Sequence, residues 1–172
     1  MKCLLIGSSG LAGQAFAREF QKRNIAYISA ARHNADISID IANQSELRSL
    51  LFKSKVDMII NCAAIVDIAF CEANAEYSWA VNAGSVETLG HFSAETNTPL
   101  IHVSTDHYFD TGERQPHDES APVILLNNYA KQKFEAESFA LASPHSLVLR
   151  TSIVGFRGAD NPTVVEWVID VV

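Results

Sequence analysis

Cysteine is scarce and unpatterned in this chain: Cys3, Cys62 and Cys71 are its only three. They form no C-x-x-C pair and their number is odd, which argues against a disulfide framework and fits a reducing, cytoplasmic compartment. His102, His107 and His117 stand at no ligand spacing from these cysteines, so no metal site is expected. Basic charge is short too. With a net charge of −7 the chain has no basic stripe, which argues against nucleic acid as a partner. Long hydrophobic runs are absent, and the longest fall far below a membrane span. Residues 1–6 are too short for a signal-peptide core and stop at glycine. No internal repeat or low-complexity linker interrupts the chain. Its 172 residues, 48% of them hydrophobic, can build one domain with a sizeable core.

What is present is a repeated strand–helix pattern. Short apolar runs at 2–6, 25–29, 37–40, 56–61, 100–104 and 147–150 read as strands, the first buried on both faces. Between them lie helical periodicities. Ala12, Phe16 and Phe20 recur every four residues, and Leu47, Leu50 and Leu51 follow an Asn43-x-x-Glu46 capping box. Asn74 is placed to cap one further helix whose inward side is Ala75, Trp79, Ala83, Val86 and Gly90, ended by Asn97-Thr98-Pro99. Asn127 or Asn128 opens a helix that stops near Ser143-Pro144. Asn161-Pro162 opens a last one containing Val165, Trp167 and Val168. The pattern predicts an α/β fold: a doubly wound parallel sheet of Rossmann type with helices on both faces.

Several stretches carry candidate chemistry. Gly7-Ser8-Ser9-Gly10-Leu11-Ala12-Gly13 lies between the first strand and the first helix, the context that turns a glycine pattern into a phosphate site. Gly7 would allow the tight turn, Gly10 the approach of a pyrophosphate, and Gly13 close packing of helix on strand. The helix N-terminus would present free N–H groups to the anion. The spacing is G-x-x-G-x-x-G, and a plain Gly/Ser turn remains the bland alternative. After the second strand, Ala30, Ala31 and Arg32 stand where NAD-preferring folds carry an acid. Arg32, with His33, could meet a 2′-phosphate, which leans towards NADP over NAD; it could also be simply solvated. Asp40 could accept a hydrogen bond from an adenine amino group or be ordinary loop polarity. Cys62-Ala63-Ala64 are small residues where a flat cofactor could lie, with Cys62 read as core. Asn82 is either a satisfied buried amide or a group that holds backbone or water near an active site.

Ser104 and Thr105 put hydroxyls at the carboxyl end of the fifth strand, where open parallel sheets bind ligands. The polar stretch from Thr105 to Tyr129, with Gly112, Pro116 and Pro122, reads as a surface loop able to cover a substrate. Tyr129 and Lys133 sit four apart on a helix and so share a face. A cation fixed beside the phenol would lower its pKa and let it exchange protons near neutral pH.

The motifs together resemble the extended short-chain dehydrogenase/reductases, and within them the dTDP-4-dehydrorhamnose reductase (RmlD-like) sugar-nucleotide family. The matching pieces, in family order, are Gly7-Ser-Ser-Gly10-Leu-Ala-Gly13, Asn61-Cys-Ala-Ala64, Ala80-Val-Asn82-Ala, Val103-Ser-Thr-Asp106, Phe109-Asp110, Tyr129-x-x-x-Lys133 and Arg150-Thr-Ser. The resemblance implies an NAD(P)H-dependent reductase of a nucleotide-linked 4-keto sugar. Tyr129 would be the acid/base. Lys133 would bind the nicotinamide ribose and tune Tyr129, and Thr105 would hold the substrate carbonyl with Ser104 in support. Asp106 and Asn82 would be auxiliary. Gly7, Ser9, Gly10, Leu11 and Gly13 would cradle the pyrophosphate, and Asp40, Ile41, Ala63 and Ala64 would line the adenosine and ribose.

This chain departs from the family pattern at Val66-Asp67-Ile68-Ala69-Phe70-Cys71-Glu72, which has no lysine, at His107-Tyr108, and at Ala130. Family members continue well past this length, so residues 1–172 are expected to be the NAD(P)-binding Rossmann domain of a longer protein, without the C-terminal part that completes the sugar pocket. An epimerase or dehydratase on a nucleotide sugar, and a non-catalytic dinucleotide-binding subunit, are the alternatives. A homodimer is compatible with the resemblance.

Overall fold

The computed structural model describes residues 1–109, 116–156 and 163–171. Asp110, Gly112 and the Asn161-Pro162 helix start lie outside the described residues, as does the side chain of Trp167.

Strand β1, Lys2–Ile6, is the spine: Leu4, Leu5 and Ile6 are wholly buried. Such a run is stable only with cover on both faces, which a parallel sheet with crossover helices supplies. Around it stand β2 (Ala26–Ala31), β3 (Ile37–Ser38), β4 (Met58–Asn61), β5 (Leu100–Val103) and β6 (Ser146–Leu149). All pair in parallel, in the order β3-β2-β1-β4-β5-β6. The order reverses direction between β1 and β4, which opens a crevice beyond their carboxyl ends. The expected strands are all present, with ends displaced by one or two residues. β2 runs on through Ala30 and Ala31 because these pair with Ile6 of β1 and with β3.

Helix α1 (Leu11–Lys22) covers one face, where Phe16 and Phe20 pack on Cys3, Leu5 and Ile60. Helix α2 (Gln44–Ser54) lies on the other face, with Leu47, Leu50 and Leu51 in the main core beside Leu4, Ile6 and Ile59. Asn43 caps it by accepting the Glu46 N–H at 3.2 Å. Short helix α3 (Ile68–Ala73) is capped by Asp67, which accepts from Phe70 N.

The helix expected after Asn74 departs from prediction in two ways. It is broken into α4 (Ala75–Trp79), a wide π turn at Ala80–Gly84, and α5 (Ser85–Thr96). The extra residue in the wide turn rotates the inward face, so Val81 to Val86 are all buried while Ala75 is exposed and Ser78 takes the inner position. Asn74 also makes no side-chain cap for α4; its amide donates backwards to the Phe70 carbonyl and closes α3.

Helix α6 (Asn128–Leu141) packs beside α5 on the same face, close enough that a Cβ on Gly90 would stand 2.2 Å from the Phe139 carbonyl. Its cap is Asn127, whose side chain accepts from Ala130 N at 2.8 Å. The last helix, α7 (Val164–Val171), begins at a reciprocal Thr163–Glu166 pairing that sequence inspection passed over. Among the described residues, no helix is long and apolar enough to cross a membrane.

Candidate active site

The glycine turn connects β1 to α1 above the crevice. Gly7 has φ +78°, and a Cβ there would lie 2.5 Å from the Ala63 nitrogen, so both the backbone and the neighbouring β4 loop require glycine. A Cβ on Gly13 would stand 2.2 Å from the Gly7 carbonyl oxygen; α1 reaches its position only without one. Gly10 occupies the N-cap and offers no capping side chain, and the first turn of α1 carries no acidic residue. An uncapped helix start with no nearby carboxylate suits an anion.

The crevice has two connected hollows that share Gly10, Cys62 and Ala64. Gly7, Ser9, Arg32, Asp40, Ile41 and Ala63 line the first. Leu11, Ser104, Thr105, Asp106, Tyr129 and Lys133 line the second. Two expected residues line neither: Gly13, which acts through packing, and Asn82. His33 is exposed and also outside.

Asn82 is wholly buried in the π turn. Its Oδ1 accepts the Ile65 N–H at 2.7 Å, and its Nδ2 donates to the Ile65 carbonyl at 3.0 Å and to Gln132 Oε1 at 2.9 Å. It is the satisfied amide, pinning the loop after β4 to α6 from beneath. It holds backbone, as expected of an auxiliary group, and does not line the second hollow.

At the far end of the first hollow a residue not anticipated from sequence joins the expected ones. Tyr77 donates to Asp40 Oδ2 at 2.8 Å, and Ala42 N donates to Asp40 Oδ1 at 3.0 Å. The bond to Asp40 raises the Tyr77 phenol above its ordinary value, while a bond with Arg32 opposes it. Nothing in the helical periodicity singles out Tyr77.

In the second hollow, the capped start of α6 turns Tyr129 towards the tip of β5. Tyr129 is 9% exposed, and its phenol feels the Thr105 hydroxyl. Thr105 Oγ1 also accepts His107 N at 3.2 Å, which fixes its rotamer at the head of a 3₁₀ turn, His107–Phe109. Burial raises the Tyr129 phenol, the Thr105 bond draws it down, and Cys71 and Asp106 push it up again. The net direction is upward. The expected lowering by Lys133 is thus corrected. The lysine shares the helix face but its long chain crosses to β5, where Nζ donates to the Val103 carbonyl at 2.8 Å and lies 3.0 Å from His102 Nε2. Burial also pushes the Cys62 thiol up to about 12, in keeping with a core role.

Lys133 is 1% exposed, and burial draws its pKa from 10.5 down to about 8. The unfolded chain therefore binds this proton more tightly, so stability rises with pH between about 8 and 10.5. The stability of Lys133→Met relative to wild type should fall by about 3 kcal/mol across that window. Urea unfolding at stepped pH checks this, and a flat difference would contradict it.

Ser104 is turned away from Thr105. Its Oγ donates to Glu137 Oε1 at 2.6 Å and lies 3.1 Å from the Tyr108 hydroxyl. Glu137 in turn pairs with Arg150 at 2.8 Å, so Ser104 belongs to the buried group that anchors the 3₁₀ turn. The sequence held a signal for it: Tyr129, Lys133 and Glu137 are spaced four apart on one face of α6.

A parallel sheet with a glycine turn at its switch point, and a Tyr-x-x-x-Lys helix beside a strand-end hydroxyl, define a dinucleotide-fold protein of short-chain dehydrogenase/reductase type. The family described as RmlD substrate binding domain matches residues 1–167, and this chain belongs to it. The chain is 30% identical over 181 aligned positions to the probable low-salt glycan biosynthesis reductase Agl14 of Haloferax volcanii, covering 98% of this chain and 59% of that one. It is 29% identical to dTDP-4-dehydrorhamnose reductase of Aggregatibacter actinomycetemcomitans, covering 88% of this chain and 51% of that one. Among solved structures, a dTDP-4-dehydrorhamnose reductase from Clostridium acetobutylicum superposes with TM-score 0.84 at 25% identity, covering 99% of this chain and 59% of that one. The chain thus spans about half to three-fifths of the length of these relatives.

Proposed function

We propose that residues 1–172 form one NAD(P)-binding Rossmann domain and serve NAD(P)H-dependent reduction of a nucleotide-linked 4-keto sugar. The observation that carries this reading is the meeting of Tyr129, Lys133 and Thr105 in a hollow continuous with the glycine turn. The names of the matched relatives, a dTDP-4-dehydrorhamnose reductase and a probable low-salt glycan biosynthesis reductase, support the same substrate class.

The residues present fit a dinucleotide. The uncapped start of α1 and the glycine cradle suit a pyrophosphate, and Ala63 and Ala64 leave room for a flat group. A bound nicotinamide would supply the hydride. The chain's own groups would do the rest. Gly7, Ser9, Gly10 and Leu11 hold the phosphates, and Asp40, Ile41 and Arg32 meet the adenosine end. The Thr105 hydroxyl orients the substrate carbonyl. Tyr129, which lines the same hollow as Thr105, gives its phenolic proton to the oxygen that gains negative charge. Its raised pKa keeps it protonated before the reaction, as a proton donor requires.

Titration of NADPH fluorescence, followed by oxidation assays with nucleotide-linked keto sugars, tests the reading. Saturable NADPH binding and substrate-dependent oxidation are expected. Conversion without net cofactor consumption would replace it with an epimerase or dehydratase, and binding without turnover with a non-catalytic subunit.

NADP is the preferred cofactor in this reading because Arg32 is the cation at the adenosine end, exposed and beside Tyr77. A charge-assisted bond to a 2′-phosphate is worth enough that Arg32→Ala should weaken NADPH by about tenfold. NADH should be nearly unaffected. Equal losses for both nucleotides, measured by the same titration, would remove the 2′-phosphate assignment.

A further inference from the structure

Beneath Lys133 lies a buried chain of hydrogen bonds that the proposed reaction does not use; it begins in the Asn61-Cys-Ala-Ala64 motif, whose asparagine has so far been given no role. Asn61 at the end of β4 and His102 on β5 are register partners, both wholly buried, and point to the same face of the sheet. The Ala63 backbone N–H donates to Asn61 Oδ1 at 3.1 Å. A backbone N–H can only donate, so this contact fixes the amide: the group facing His102 Nδ1, at 3.2 Å, is the Asn61 NH₂. Nδ1 must then be the bare nitrogen. Full burial keeps His102 neutral, with one N–H, which falls on Nε2. Nε2 lies 3.0 Å from Lys133 Nζ.

An ammonium has three donors and no lone pair. If Lys133 is charged, two donors must face each other somewhere in this chain. Moving the His102 proton to Nδ1 transfers the conflict to Asn61, and turning the amide transfers it to Ala63. If Lys133 is a neutral amine, every contact is satisfied. It accepts from His102 Nε2–H and donates to the Val103 carbonyl. We propose that His102 is a positioning residue for Lys133: the Nε2–H tautomer imposed by Asn61 holds the lysine nitrogen as a hydrogen-bond acceptor, so that amine-to-ammonium conversion at the cleft floor is coupled to Asn61 and the Ala63 backbone.

The other groups around Lys133 do not supply this control. Cys62, from the end of β4, has a thiol pushed up to about 12 and is neutral. Glu137, one turn along α6, favours the ammonium but has its carboxylate shared with Arg150 and Ser104. Tyr129, one turn back, is held protonated by burial. His102 is the ring that meets Nζ directly. The consequence for catalysis, that a cation appears beside Tyr129 only when the relay yields, rests on the reductase reading; the tautomer and the amine follow from matching donors to acceptors and do not.

The test is ¹⁵N NMR of the histidine rings and the Lys133 amine in the whole chain. At about pH 9, a unit above the value of about 8 at which Lys133 titrates, wild type should show a bare His102 Nδ1, a protonated Nε2 and a neutral Lys133 nitrogen. Asn61→Asp is nearly isosteric and offers only acceptors. One oxygen can take Ala63 N–H and the other a proton on Nδ1, which frees Nε2 to receive an ammonium. The His102 tautomer should reverse, and the proton affinity of Lys133 should rise by at least about tenfold. A wild-type ring protonated at Nδ1 at that pH would overturn the proposal. So would a rise in Lys133 affinity with the tautomer unmoved, since that is the added charge acting alone. Should Asn61→Asp not fold, His102→Gln serves in its place: an amide oxygen facing Nζ should likewise raise the affinity, and no change would overturn the relay.

Discussion

Tyr129→Phe should cut the reduction of a nucleotide-linked 4-keto sugar by about 10²- to 10⁴-fold, the usual contribution of a positioned general acid. NADPH affinity should change little. The substitution keeps the ring, which lies tilted against His107 with centroids 6.0 Å apart, and keeps the capped start of α6. Only the hydroxyl is lost. No nearby phenol can substitute. Tyr108 is wholly buried, 3.1 Å from Ser104 Oγ and beneath the Arg150 guanidinium, and lines neither hollow. Tyr77 stands at the adenosine end. Single-turnover NADPH oxidation, read beside the binding titration, separates the chemical step from binding. A mutant that retains most of its rate would mean that another group delivers the proton.

The parts of this molecule written in local sequence were legible. Apolar runs placed all six strands, most plainly β1, whose burial on two faces leaves little compositional ambiguity. Gly7 and Gly13 were readable because a backbone with φ +78° and a helix packed against a carbonyl both exclude a side chain. Asn43 was readable as a cap, and Asn127 as one of two adjacent candidates. What failed depended on distance or on helix pitch. Four-residue spacing put Tyr129 and Lys133 on one face correctly, but spacing says nothing of where a flexible four-carbon chain ends, and Lys133 ends on β5. Ala75 was misplaced because a periodicity of 3.6 cannot anticipate a π turn five residues later. His102 read as one polar residue in an apolar strand. Its partners, Asn61 and Lys133, are 41 and 31 positions away and meet it only through strand register and helix packing.

The same limit hid the contact on which the rim of the second hollow depends, and with it the largest expected loss of stability. Glu137 is 4% exposed and accepts from Ser104 Oγ and from both Nε and Nη2 of Arg150. Arg150 also donates to the Glu119 carbonyl at 3.3 Å and lies 5.3 Å from the centroid of Tyr108, tying the segment before α6 to the end of β6. Glu137→Ala strips the carboxylate and leaves a poorly solvated guanidinium and a Ser104 hydroxyl that keeps Tyr108 but loses its acceptor on α6. The expected cost is about 3–5 kcal/mol, which in a chain of this size lowers Tm by about 10 °C. The pair itself need not be a net source of stability, because desolvating two charges offsets most of their attraction. The double replacement Glu137→Met with Arg150→Met should therefore recover most of the loss in denaturant unfolding. It should not recover turnover in full, since Ser104 and the 3₁₀ turn that carries His107 would still lack their anchor. A single-mutant cost below about 1 kcal/mol, or a double mutant no better than the single, would show that the turn beside Thr105 is held by its apolar packing of Tyr108 on Phe134 rather than by this ion pair.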